Sequence, residues 1–150
     1  MKMTVHSRIL LFFIIVTSLP CLSLAQQRNR TDSGDNFSSK VYRQALVIEN
    51  TSYQNTKSVS QSLATKNQVS NTLQSLGFRV SNLSNAKQRE TEKAIRQFGR
   101  SLRDNRGVGV FYYAGHVVQF ENENYLLPID TKLTRIEEVP YKTVPLGKLV

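Results

Sequence analysis

Residues 108–130 read VGVFYYAGHVVQFENENYLLPID, and the fold turns on how this stretch is read. The first seven, Val108–Ala114, show no alternation of apolar and polar residues. Such a run predicts a strand buried on both faces, and so a sheet covered on both sides. The run stops at the small pair Ala114-Gly115, and His116 follows at once. Glycine here is expected to let the backbone turn sharply and leave the imidazole open to a cleft. Histidine is the side chain best suited to moving protons near neutral pH. Beyond it, Val117–Phe120 and Tyr125–Pro128 flank Glu121-Asn122-Glu123-Asn124, which predicts a hairpin.

Working upstream, Ala45–Ile48 is a short apolar run within a strand expected to begin near Val41. Residues 49–62 are rich in Ser, Thr and Asn and predict a loop. A helix is expected from Thr65 to Leu76, with Val69, Leu73 and Leu76 on one face and Gly77 just past its end. Phe78–Leu83 predicts a second strand. Ser84 or Asn85 is the expected cap of a helix over Ala86–Arg103, whose Ile95, Phe98 and Leu102 recur at helical spacing. Gly107 is expected to end the connection. Strands alternating with helices imply a parallel sheet with right-handed crossovers. Ligands in such sheets bind beyond the carboxyl ends of the strands, where His116 lies. From placement alone two roles stay open for it: a base, or a strand-end histidine satisfied by a backbone group.

The 150 residues suffice for one domain. Lys2 and Arg8 precede the uncharged run ILLFFIIVTS at 9–18, and Ser23-Leu24-Ala25 offers a small-x-small site. This order predicts a signal peptide over 1–25 and an exported protein, periplasmic or secreted. The alternative is an N-terminal membrane anchor, for which Ile9–Ala25 with Pro20 inside it is short. Pro20 also argues against lipid attachment at Cys21. Residues 26–39, QQRNRTDSGDNFSS, are too polar to bury a core and predict a flexible lead-in to a domain over 40–150.

Cleavage would remove the only cysteine, Cys21, and one of the two histidines, His6. It would also remove two of the 20 cations and none of the 11 acids, which leaves +7. No disulfide could then form within the mature chain. A histidine-only metal site is excluded, and Glu121 and Glu123 match no metal-ligand spacing. No Gly-x-Ser-x-Gly elbow and no glycine-rich phosphate loop occurs, so no cofactor is expected. Lys87, Arg89, Lys93, Arg96, Arg100, Arg103 and Arg106 crowd one helix and its exit, partly balanced by Glu90, Glu92 and Asp104. They are read as a solvated face. No aromatic residues interleave them, so nucleic acid is not an expected partner.

Tyr-Tyr-Ala-Gly-His at 112–116, followed by Glu-Asn-Tyr-Leu-Leu-Pro-Ile-Asp at 123–130, resembles the caspase-like cysteine peptidases, especially their bacterial and metacaspase-related branch. ALVIENTSYQN at 45–55 is similar to that family's first strand and LGFRV at 76–80 to its helix-to-second-strand step. Residues 139–146 are similar to the approach to its next helix. The resemblance runs from about Val41 onward. It implies a three-layer α/β sandwich with a mainly parallel central sheet. It also implies peptide-bond hydrolysis by a Cys–His dyad, with His116 as general acid/base. Peptides or proteins would be the substrates, and a homo-oligomer or partner subunit is possible on the same ground.

Four departures matter. Val117 stands where the family has the glycine whose N–H helps hold the oxyanion; the N–H is kept, but a β-branched residue is stiff. Gln68 stands where the family's Asn-Asp-Ala places a substrate-binding aspartate, which removes the charge expected to select a basic side chain. Glu49 replaces a glycine at the end of the first strand. Finally, the family's cysteine follows its histidine by about 50 residues, or about position 166 here. The sheet is therefore expected to be incomplete at its C-terminal side. The chain is expected to be an inactive caspase-like domain, or the amino-terminal part of an active endopeptidase whose cysteine lies beyond residue 150.

Overall fold

Strand β1 (Arg43–Glu49) is the middle of three. In the computed structural model, which describes residues 41–59 and 63–149, it runs parallel to both neighbours. The expected signal peptide and lead-in lie outside the described residues. Strand β2 (Arg79–Ser84) pairs along one edge, with Ala45 opposite Val80. Strand β3 (Val108–Ala114) pairs along the other, with Glu49 opposite Ala114. Helix α1 (Leu63–Ser75) links β1 to β2, and helix α2 (Gln88–Asn105) links β2 to β3.

The two faces of the sheet separate by parity. Leu46, Ile48, Phe111 and Tyr113 pack with Ile95, Phe98 and Leu102 of α2. Ala45, Val47, Val110, Tyr112 and Ala114 pack with Leu73, and Val69 of α1 adds to them. Side chains alternate across a strand, so a strand covered on both sides reads as a continuous apolar run. Helix, sheet and helix form the three expected layers. Gly109 lets α2 close in, since a Cβ there would collide with Leu102 Cδ1 and lie 2.8 Å from Phe98 Cζ.

Beyond β3 the chain forms a small antiparallel sheet. Strand β4 (Val117–Phe120) pairs with β5 (Glu123–Leu126), and β5 with the two-residue β6 (Val144–Pro145). A four-residue helix α3 (Val139–Lys142) precedes β6. Val117, Leu126 and Val144 join the cluster on the α2 face, so this sheet seals that side of the sandwich.

Several local expectations are corrected. The hairpin turn is two residues, not four: Glu121 and Asn122 both have positive φ, at 49° and 62°. That is the pattern of a tight turn whose twist matches its strands, achieved here without glycine. Helix α1 ends at Ser75, and Leu76 is exposed rather than on its buried face. Gly77 takes φ +80°, with its own N–H on Gln74 O and the Phe78 N–H on Leu73 O, the paired closure expected of a glycine stop. Helix α2 closes in the same way, but Arg106 rather than Gly107 takes the left-handed position, at φ 47°. Gly107 is there for space, because a Cβ would lie 2.7 Å from Tyr42 O.

Neither Ser84 nor Asn85 caps α2. The Glu90 carboxylate accepts the Lys87 N–H at 2.9 Å, and Asp130 Oδ1 accepts the Gln88 N–H at 3.1 Å. Asn85, at φ 51°, gives its carboxamide oxygen to the Thr51 and Ser52 N–H groups instead. Just past the segment similar to the family's approach to a helix, residues 146–149 form a single 3-10 turn.

Candidate active site

The carboxyl ends of β1 and β3 form a polar rim. The residues after β1 are bound to three other segments there. Asn50 N–H donates to Ala114 O at 2.8 Å, and Asn50 Nδ2 donates to Leu127 O at 3.1 Å. Asn50 Oδ1 accepts the Ala86 N–H at 2.9 Å. Asn85 Oδ1 accepts the N–H groups of Thr51 and Ser52 at 2.9 and 3.0 Å. Gln54 N–H reaches Ile129 O at 2.9 Å. The segment over 50–59 is thereby laid across the end of β3.

His116 sits beneath that segment. It was expected to open to a cleft, yet it is 4% exposed. The Tyr53 ring lies over the imidazole, with centroids 4.5 Å apart and planes tilted by 48°. Nε2 lies 2.7 Å from Lys57 O. A carbonyl only accepts, so Nε2 carries a proton, and it is in the neutral form of the ring that Nδ1 holds the lone pair. Nδ1 is the one buried side-chain nitrogen or oxygen without a hydrogen-bond partner among the described residues. The strand-end histidine satisfied by a backbone group is therefore half of what is found, because only one of its two nitrogens is satisfied.

The backbone of His116 is held as closely as its ring. Its N–H donates to Tyr53 Oη at 2.7 Å. Its carbonyl accepts the Leu127 N–H at 3.0 Å and the Tyr113 hydroxyl at 3.2 Å. The role expected of Gly115 is corrected too. It has no positive φ; what it supplies is room, since a Cβ would lie 2.6 Å from Tyr53 Oη and 2.7 Å from Tyr113 Oη. Burial pushes the Tyr113 hydroxyl well above the usual phenol range. Burial also raises Tyr53, partly offset by the His116 N–H that its hydroxyl accepts. Both phenols stay protonated through neutral pH.

Val117 lies one residue beyond, its side chain in the core. His116 and Leu127 face each other at a hydrogen-bonded position of the hairpin, so Val117, opposite Leu126, falls at a non-hydrogen-bonded one. Its N–H is directed away from β5, and no positive φ is asked of it. Gln68 is exposed on α1, and no hydrogen bond or ring contact described for His116 includes it. Glu49 is buried on the α1 face beside Tyr112, whose hydroxyl is raised by burial first and by the Glu49 charge second. Among the described residues no three His, Cys, Asp or Glu side chains come together to hold a metal ion.

Sequence reasoning did not assign roles to Tyr53, Lys57, Asn50 or Tyr113. Tyr53 and Tyr113 stand inside quoted motifs, ENTSY and YYAGH, so a signal was present. Lys57 acts through its carbonyl, which every residue type carries.

No curated protein matches the chain. The caspase-domain model of the C14 peptidases does match, over residues 42–144, a span that takes in both motifs, the rim and His116. The parallel sheet between two helical layers is consistent with that fold, and the chain belongs to the caspase-domain peptidase family.

Proposed function

We propose that this domain carries the acid-base half of a Cys–His site for peptide-bond hydrolysis, and that the chain over 1–150 is inactive without a thiol supplied to it. One observation carries the reading: Lys57 O holds the Nε2 proton, and Nδ1 is buried without a hydrogen-bond partner. A base set in this way can take a thiol proton, leaving a thiolate to attack a peptide carbonyl. The same nitrogen then returns the proton to the leaving amine. The outward N–H of Val117 is a candidate donor to the oxyanion. The only cysteine of the chain, Cys21, lies in the proposed signal peptide.

A second reading is favoured by β3. Its outer edge bears no strand among the described residues, although its side chains are buried on both faces. A parallel strand added there would end beside His116. A cysteine on such a strand, from beyond residue 150, would make the whole an active endopeptidase.

A completed form reacted with a thiol-directed peptidyl probe separates these readings. Labelling that disappears in His116→Ala supports the assigned role, and labelling that persists overturns it. Peptide hydrolysis by the chain over 1–150 alone would sink the inactive reading. Export is part of the proposal. It predicts a mature N-terminus at Gln26 by intact mass, whereas retention of residues 1–25 in a membrane fraction would favour the anchor. No helix among the described residues is long and apolar enough to cross a membrane.

A further inference from the structure

The distances around His116 contain a second device, which rests on the reading of that residue as the base. We infer that the hydroxyls of Tyr53 and Tyr113 form a closed clamp on the main chain of His116 and are positioning residues for its imidazole. Each phenol has one O–H to donate and lone pairs to accept with. The Tyr113 hydroxyl lies 2.9 Å from Leu127 O and 3.2 Å from His116 O. Carbonyls cannot donate, so the Tyr113 proton is committed to them. The contact between the two phenols, at 3.4 Å, then has only one direction: Tyr53 donates and Tyr113 accepts. Tyr53 thus keeps its lone pairs for the His116 N–H at 2.7 Å.

The circuit runs from His116 N–H to Tyr53, on to Tyr113, and back to His116 C=O. Both main-chain polar groups of one residue are tied into it, and the residues that tie them lie 63 and 3 positions away in sequence. Tyr53 also lays its ring on the imidazole, so a single side chain fixes the backbone and one face of the base. Gly115 fits the same device. The space its missing Cβ would fill is occupied by the two hydroxyl oxygens. A histidine satisfied only by ordinary strand pairing would take its N–H to Leu127 O. Here that carbonyl is already shared by Tyr113 and Asn50.

The test uses the full chain labelled with 15N, with a His6→Gln control to assign the ring signals. Two quantities are read: amide exchange at His116 relative to Leu46, and the ring nitrogen shifts that report the tautomer. Tyr53→Phe keeps the ring stacking and removes the acceptor. A buried donor left unpaired opens more readily, so His116 exchange should quicken on the order of tenfold or more while Leu46 is unmoved. The ring shifts should move from the Nε2-protonated form toward a tautomer mixture. Tyr113→Phe should act in the same direction, and it provides the readout if Tyr53→Phe does not fold. A uniform rise in exchange with unchanged ring shifts would mean a structural role only and would overturn the assignment. So would His116 exchange within twofold of the parent in both variants. These readouts need no cysteine. Their failure therefore stands apart from a failed labelling test, which would strike the catalytic reading and leave the clamp intact.

Discussion

The interior of the parallel sheet and its carboxyl rim are held by different forces, though β1 and β3 run through both. In the interior, Leu46, Ile48, Phe111 and Tyr113 meet α2, and Ala45, Val47 and Val110 meet Leu73. Burial of this kind has no direction, and its energy follows the area removed from water. At the rim, Asn50, Asn85, Tyr53 and Tyr113 bind backbone groups of four segments by directed hydrogen bonds. There the geometry is specified group by group, and a buried polar atom without a partner is costly. The rim leaves one such atom, Nδ1 of His116, and that exception is where chemistry is proposed. A region built by counting partners makes its one omission meaningful in a way that a gap in an apolar cluster would not.

The largest expected effect lies in the interior. Phe111 is almost fully buried in the α2-side cluster, so Phe111→Ala should cost about 3–5 kcal/mol by urea denaturation. A loss under 1 kcal/mol would mean the interior is not the main source of stability. Next comes Gly115→Ala, which sets a methyl against two hydroxyl oxygens and should cost about 1–3 kcal/mol. Its mark should be local, with the His116 and Tyr53 ring resonances moving more than those of Phe98. Uniform small shifts would show that the rim has slack.

Asn50→Ala strips partners from the Ala86 N–H and the Leu127 carbonyl, the latter still bound by Tyr113. One unsatisfied buried donor predicts a loss of about 1–3 kcal/mol, and Asn50→Asp, which restores only the acceptor, should recover part of it. No recovery would count against the hydrogen-bond reading. The smallest effect concerns pH. Tyr53 and Tyr113 have raised folded-state pKa values, so above the ordinary phenol value of 10.0 the unfolded chain releases protons that the folded chain keeps. Stability should therefore fall as pH rises past that point, and less steeply in Tyr113→Phe. An alkaline limb with the same slope in that variant would contradict the buried, protonated phenol.

The interior was largely legible in the sequence. Runs without alternation at 45–48 and 108–114 gave strands covered on both sides, and Ile95, Phe98 and Leu102 marked the inward stripe of α2. Gly77 was legible as a helix stop because few other residues accept its φ. The rim was much less so. Asn85 reads as a helix cap by residue type, yet its carboxamide is committed to Thr51 and Ser52, 34 and 33 residues away. Gly115 reads as a hinge, but its need is set by two hydroxyls that only the fold brings near. The hairpin turn at Glu121-Asn122 lacks glycine and so hid its length.

The sequence by itself determined the layer order, the parallel topology and the position of His116 at the carboxyl edge. Those features follow from periodicity and chain order, which are local or nearly so. Only the tertiary structure decided that His116 is covered rather than open, and which ring nitrogen bears the proton. It also decided that Tyr53 and Lys57 do the holding. Each of these depends on contacts between segments about 60 residues apart, and one is made by a main-chain carbonyl that no residue type announces.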